Sequence, residues 1–466
     1  MIAERIRAGD LDLLGEQLLI EFVQSRRWFG QKAAEVTHAH VLDAATLRPE
    51  PPLLVAAIAE IRFQPGTHEL YQLLLGFRPE HEAWNEQVIG EADGFIAYDA
   101  LADSELARTL VRLMADAATV EAGEGTLDFH PVEGAQLGEE LGEVRQLGVE
   151  QSNTSVVFGE RLILKAYRRL EPGVNPELEL LRFLTQRGFP NIAPLAGWYE
   201  YSGRPLNATL GILQAFVPGA PDGWELALEA LRSEPESFLQ RLRRLGEVTG
   251  AMHTALAADA SDPSFCPEEP SQEALPLLVA TVDEEIEELF LDLPDHEVLA
   301  PVRGRGEEVR ERLRQISHVG PVGRTIRHHG DYHLGQVLWS GDDWIVLDFE
   351  GEPARSLTER RRKRSPLRDV AGMLRSFAYA ASASQLVNDV EAPPDWEERA
   401  RREFLDGYLE TVERTLVPTS RDSIDRLLAV FELEKAVYEL RYELNHRPDW
   451  LGIPVAGIVR LLEDGE

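Results

Sequence analysis

The chain has 466 residues, length enough for about three domains, and its 81 acidic residues against 47 Lys and Arg leave a formal net charge of −34. A surface that acidic repels nucleic-acid phosphates and anionic headgroups, so neither is expected as the main partner, whereas a small anion needs only a few local cations or a helix N-terminus. The single cysteine, Cys266, excludes an internal disulfide framework, the N-terminus lacks a signal-peptide core and no apolar run approaches the roughly 20 residues of a membrane span, so a cytoplasmic location is expected.

In chain order, residues 11–29 ("LDLLGEQLLIEFVQSRRWF") repeat apolar side chains at helical spacing. The runs "EVTHAHVL", "PLLVAAIAEIRF" and "HELYQLLLGF" then read as strands of a small sheet. A Gly- and Glu-rich stretch, 121–144, marks a boundary. A second strand-rich block follows: "EVRQLGV", the polar turn "EQSNTS" and "VVFGERLILKAY". "NPELELLRFLTQRG" is a short capped helix and "ATLGILQAFVPG" a strand ending at a turn. From about 222 onward helices dominate, interrupted by a hairpin in "QVLWSGDDWIVLDF" around Gly341-Asp342. This order predicts an α+β, two-lobed protein-kinase-like fold with an N-terminal α/β cap. The expected divisions are a cap at 1–130, an N-lobe at 131–220 and a mainly helical C-lobe at 221–466.

The chemistry concentrates in "HHGDYHLGQVLWSGDDWIVLDFEGEP", residues 328–353. In-line phosphoryl transfer needs a carboxylate to accept the substrate hydroxyl proton and metal ions to neutralise phosphate charge. Asp331 precedes Gln336 by five positions, the kinase spacing of base and metal-binding amide, and a tight hairpin would return Asp348 to the same end. Asp331 is therefore the candidate base, with Gln336 and Asp348 as oxygen ligands for Mg²⁺. Two other readings compete: a solvated polar hairpin, and a metal hydrolase using His328, His329 and His333, which lack the i, i+4 helical pair of metallopeptidases. A kinase also needs a strand lysine oriented by a helix carboxylate. Lys165 in "RLILKAY" supplies the lysine, and Glu177 or Glu179 the carboxylate, with Glu179 favoured. The ATP phosphates are assigned to Ser152, Asn153, Thr154 and Ser155, a loop without the glycines of protein kinases, and the adenine to Gln214, Phe216 and Val217.

Four stretches carry a resemblance: "RRWFGQK", "HHGDYHLGQVLW", "VLDFEGEPARSLTERRRKRSPLRDVAGMLRSFAYA" and "EKAVYELRYELNHRPDWLGIPV". Through them the sequence resembles the bacterial maltokinases, members of the aminoglycoside-phosphotransferase-like kinases, along essentially its whole length. The resemblance implies ATP- and Mg²⁺-dependent phosphorylation of maltose at the anomeric oxygen, giving maltose 1-phosphate for α-glucan synthesis from trehalose-derived maltose. It implies a monomer, with a trehalose-to-maltose isomerase as a candidate associate. It likewise makes Asp331 the base and Gln336 and Asp348 the metal ligands, Gln336 being one methylene longer than the kinase Asn. The sugar is assigned to Asp331, His333, Lys435, Tyr438, Glu439 and Tyr442. The last four fall at i, i+3, i+4 and i+7, one helix face, where the plain alternative is packed tyrosines beside a surface ion pair. Asp369 is expected to cap its helix and brace the catalytic loop. The basic run Arg360 to Arg364 reads as a solvated loop or as cations at the mouth of the site. A kinase of glucosamine or of an aminoglycoside is the nearest rival, and a non-catalytic kinase-like binding module a more distant one.

Overall fold

A strand that is apolar at nearly every position, such as Leu53–Phe63, has two faces to bury, and in the computed structural model both are covered. The structure describes residues 4–5, 10, 14–31, 34–64, 66–138, 140–148, 153–318, 320 and 322–463. Strands β1 (Val36–Arg48), β2 (Leu53–Phe63), β3 (His68–Pro79), β4 (Val88–Ala92) and β5 (Phe95–Asp99) pair antiparallel in the order β1-β2-β3-β5-β4. Leu53, Val55, Ala57 and Ile61 pack on Leu19, Phe22 and Val23 of helix α1 (Glu16–Ser25). The alternate residues Leu54, Ala56 and Ile58 share a core with Leu106 and Leu110 of helix α2 (Ser104–Ala115) and with Leu127, Leu164 and Tyr199 of a second sheet.

That second sheet contains β6 (Thr119–Glu121), β7 (Gly125–Pro131), β8 (Val144–Gln146), β9 (Asn153–Phe158), β10 (Leu162–Tyr167), β12 (Leu195–Gly203) and β13 (Asn207–Ala215), in the order β6-β7-β12-β13-β10-β9-β8. The short β11 (Arg169–Leu170) leaves it to pair with β3. The two sheets are also tied by polar bonds. Gln72 Nε2 donates to the carbonyls of Tyr167 and Leu210, each at 2.8 Å, while its Oε1 accepts from the Tyr199 hydroxyl at 2.9 Å. The buried Arg168 holds Asp99 with contacts of 2.7 and 2.9 Å. The expected cap and N-lobe thus share one core, and the strands of 119–131 belong to the second sheet. They form one unit, Met1–Arg182 with Ala193–Gly219. Helix α3 (Pro176–Gln186) begins in it.

The second unit, Phe183–Ile192 with Ala220–Glu466, is mainly helical. Its longer helices are α4 (Gly223–Ser233), α5 (Pro235–Leu256), α6 (Ala274–Leu291), α7 (Gly306–Ile316), α8 (Leu367–Asn388), α9 (Trp396–Thr411), α10 (Arg421–His446) and α11 (Gly452–Glu463). Helices α5 and α9 touch backbone to backbone because each presents a glycine. A Cβ on Gly246 would lie 2.0 Å from the Phe404 carbonyl oxygen, and one on Gly407 2.1 Å from that of Arg243. The expected hairpin is present as β14 (Val337–Ser340) and β15 (Asp343–Val346), with Ser340 opposite Asp343. Gly341 and Asp342 have φ of 59° and 68°, the left-handed pair that a two-residue type I′ turn requires. Among the described residues no helix is long and apolar enough to cross a membrane.

Candidate active site

In the first unit, β10 alternates so that Lys165 stands on the face that meets the start of α3. Its Nζ lies 2.9 Å from Glu177 Oε1. Glu177 is fully buried, and its other oxygen accepts from the Tyr167 hydroxyl at 2.9 Å. The expectation for Glu179 is corrected here. Asn175 Oδ1 accepts from the Glu177 amide at 2.8 Å, which sets the first turn of α3, and residues two apart on a helix point in different directions. That register turns Glu177 toward the lysine.

The phosphate-loop expectations also change. Ser152 lies outside the described residues. Asn153 opens β9 and is half-buried, whereas Ser155 is fully buried in the sheet and has no side-chain surface to offer a nucleotide. The Thr154 hydroxyl accepts from the buried Arg168 Nε at 2.8 Å. Gln214 lies between β10 and β12, paired on both sides, so its backbone is committed to the sheet. The Phe216 amide donates to the Arg161 carbonyl at 2.8 Å. Phe216 and Val217 lie just beyond the strand.

In the second unit, the candidate catalytic loop is held from behind by Asp369. The Asp369 carboxylate accepts from the amides of His329 and Gly330 at 2.8 and 2.9 Å, and lies 3.0 Å from His253 Nε2. It does not cap its helix: α8 starts at Leu367, with Pro366 at the cap and Asp369 in the first turn. Burial alone would raise the Asp369 carboxyl, but the surrounding histidines and the His253 hydrogen bond hold it well below the usual carboxylate range. Glycine lets α8 approach, since a Cβ on Gly372 would sit 2.7 Å from the Tyr332 carbonyl oxygen. His329 accepts from the Asp331 amide through Nδ1 at 3.3 Å, which leaves the proton on Nε2 to bond the Leu347 carbonyl at 2.8 Å. One imidazole therefore ties Asp331 to the residue that precedes Asp348.

Asp331 and Lys435 meet, with Lys435 Nζ 3.6 Å from Asp331 Oδ1. Desolvation pulls the Lys435 ammonium down, but the charges of Asp331 and Glu352 outweigh it and the net shift is upward. Gln336 Nε2 donates to Asp348 Oδ2 at 3.1 Å, so the amide oxygen is left as its donor atom. Asp348 has a left-handed backbone, φ 60°, a conformation that non-glycine residues keep mainly where function or surrounding structure demands it. An amide oxygen and a carboxylate side by side form a donor set suited to Mg²⁺, and these two residues would hold it.

Asp331 opens onto a cavity of about 730 Å³ that lies wholly in the second unit. His333, Lys435, Tyr438, Glu439 and Tyr442 all line it. Tyr438 and Tyr442 are 37% and 40% exposed, so they are wall residues and not core. Nor do Lys435 and Glu439 form the surface pair of the plain alternative: Glu439 instead binds the buried Arg375 at 2.6 Å. Burial lowers the His333 imidazole below its usual value. Sequence reasoning missed Trp224, Tyr379 and Trp450, further aromatic walls of the cavity, and Arg355, Arg368 and Arg447, its cations. Part of the basic run is anchored: Arg364 pairs with Ile326 through both backbone groups, and Lys363 Nζ reaches the Pro263 carbonyl at 2.6 Å.

Residues 22–103 match the family model of the maltokinase N-terminal cap domain. Residues 143–405, more than half of the chain, match that of the phosphotransferase enzyme family. The chain is similar to a glucosamine kinase of Streptacidiphilus jiangxiensis, 28% identical over 339 residues that cover 69% of this chain and 74% of that protein. A glucosamine kinase of Mycolicibacterium smegmatis is 25% identical over 330 residues, covering 69% and 80%. A solved glucosamine kinase in complex with glucosamine, ADP and inorganic phosphate has the same fold, with a TM-score of 0.69 at 21% identity over 95% of this chain and 98% of that one.

Proposed function

The chain belongs to the phosphotransferase enzyme family, and on that premise we propose that it is a maltokinase, transferring phosphate from ATP to the anomeric hydroxyl of maltose to give maltose 1-phosphate and ADP. Asp331 accepts the hydroxyl proton as the phosphoryl group leaves the nucleotide in line. Lys165, clamped by Glu177, serves the nucleotide phosphates, while Asp369 and His329 hold the catalytic loop in place. A Mg²⁺ ion at Gln336 and Asp348 would supply charge neutralisation on those phosphates. Maltose 1-phosphate made in this way would feed α-glucan synthesis from trehalose-derived maltose.

The observation that carries the choice of a neutral sugar is the charge pairing in the cavity. An ammonium is held best by a carboxylate with no other cation beside it, whereas Glu352 binds Arg355, Glu434 binds Arg368, Glu439 binds Arg375 and Glu443 binds Arg447. At the reacting end Lys435 stands beside Asp331, so a cationic acceptor would meet a like charge. The match to a maltokinase cap supports the same reading, and the glucosamine kinases among the relatives favour the rival. The test is to offer ATP with maltose, glucosamine or kanamycin in parallel, following ADP release and the product by ³¹P NMR. Maltose should be the preferred acceptor, with phosphate on its anomeric carbon. Higher kcat/KM on glucosamine or kanamycin would replace this reading with the aminosugar one.

A further inference from the structure

Among the described residues four Lys and Arg side chains line the cavity, and three of them are matched by a carboxylate. Arg355 holds Glu352 at 2.5 Å, Arg368 holds Glu434 at 2.5 Å and Arg447 holds Glu443 at 2.8 Å. The fourth, Lys435, differs. Glu439, one helical turn on, is taken by Arg375 at 2.6 Å, and among the described residues no group hydrogen-bonds the Lys435 ammonium. Its one carboxylate within ion-pair distance there is Asp331, at 3.6 Å, beyond the roughly 2.7–2.9 Å of a charge-assisted hydrogen bond. The side chain is only 33% exposed. A cation that has given up much of its water and still has open donors is poised for an incoming negative charge.

The loop of Asp331 brings no cation of its own. His329 and His333 stand on either side of Asp331, and each accepts a backbone amide through Nδ1. His329 takes that of Asp331 at 3.3 Å, and His333 that of Gly335 at 3.1 Å. A ring nitrogen that accepts carries no proton, so both imidazoles are neutral. The positive charge at Asp331 comes instead from α10, where the Tyr438 ring centre lies 5.1 Å from the Lys435 ammonium.

An acceptor hydroxyl within about 3 Å of Asp331, the reach of a general base, also falls within reach of that ammonium. In the transfer step the hydroxyl proton passes to an Asp331 oxygen and the acceptor oxygen bonds phosphorus. The bond from phosphorus to the bridging oxygen of the nucleotide breaks, and its electron pair leaves on ADP. Asp331 becomes a neutral acid, so its pull on Lys435 lapses as negative charge gathers on the acceptor and phosphoryl oxygens. A cation that changes partner in this way stabilises the transition state more than the ground state. We infer that Lys435 is a catalytic cation, paired with Asp331 before transfer and with the transferring phosphoryl group during it. The inference rests on Asp331 as the base and is independent of which sugar is accepted.

The experiment compares wild type, Lys435→Met and Lys435→Arg, using whichever of maltose, glucosamine and kanamycin the wild type phosphorylates. Steady-state kinetics are joined by calorimetry of ADP with Mg²⁺, alone and with aluminium fluoride in place of the transferring group. Lys435→Met should lose about a hundredfold in kcat, the scale of one lost transition-state donor, with acceptor KM within about threefold. Fluoride should tighten ADP binding about a hundredfold less than in the wild type, while affinity for ADP alone, which reports an intact fold, stays unchanged. Lys435→Arg keeps the charge and should stay within about tenfold of the wild type in both. Where Lys435→Met fails to bind ADP, Lys435→Gln takes its place with the same expectations. A rise in acceptor KM with kcat kept, or equal tightening by fluoride in wild type and variant, overturns the role of Lys435. Near-normal kcat in Asp331→Asn overturns the base and this inference together, whereas an acceptor other than maltose overturns only the maltose reading.

Discussion

Replacing Glu177 by glutamine tests which carboxylate orients the nucleotide lysine. The substitution keeps the volume and one hydrogen-bond acceptor for the Tyr167 hydroxyl, but removes the charge 2.9 Å from Lys165 Nζ. Breaking a fully buried pair by removing one partner costs about 3–5 kcal/mol. The Lys165 side chain is 13% exposed, so water recovers part of that loss, and the amide oxygen recovers more. A net cost of about 2 kcal/mol remains, close to thirtyfold in an equilibrium or a specificity constant. Steady-state kinetics with ATP varied at saturating sugar should therefore show kcat/KM for ATP falling about thirtyfold in Glu177→Gln, with KM for the sugar little changed. Glu179→Gln leaves the Lys165–Glu177 pair intact and should stay within about twofold of the wild type. If Glu179→Gln carries the loss and Glu177→Gln does not, the pairing read from β10 and α3 is not the one used in catalysis.

Asp331→Asn removes the proton acceptor and should lower kcat by about 10²- to 10⁴-fold, while nucleotide affinity measured by calorimetry stays near that of the wild type. Asp348→Asn removes ligand charge beside Gln336, so half-maximal activity should require more Mg²⁺; an unchanged Mg²⁺ titration would remove Asp348 from the metal site. His328, buried against the catalytic loop, is held by burial down to about 3, whereas in the unfolded chain it titrates near 6.5. Between those values the unfolded chain binds the extra proton, so stability is lost as pH falls, by about 2 kcal/mol from pH 7 to pH 5. The Tm difference between wild type and His328→Gln should accordingly shrink on going from pH 7 to pH 5, and a widening gap would contradict a neutral buried imidazole.

The convergence of Gln336 on Asp348, next to the loop of Asp331, was legible from residue order because its geometry is local. Asp331, Gln336 and Asp348 lie within one short stretch, and the Gly341-Asp342 turn permits only one return path, so spacing alone brings the amide and the second carboxylate together. The apolar and alternating runs likewise announced the strands, since a two-residue period is a property of one strand and needs no partner. What spacing cannot supply is the absolute direction of a side chain relative to another element. Glu177 and Glu179 are equivalent to any pattern on the chain; the Asn175 cap and the position of β10 decide between them. Ser155 looks like a phosphate ligand until its strand is seen to be buried on both faces. Asp369 has the sequence context of a helix cap, and only the packing of α8 on the catalytic loop brings it under the amides of His329 and Gly330, about 40 positions earlier. The aromatic far wall of the cavity draws on Trp224, Tyr379 and Trp450, separated by more than 200 residues in all. Convergence of that kind is set by how helices pack, through close approaches such as Gly246 against Phe404, and packing depends on many distant side chains at once.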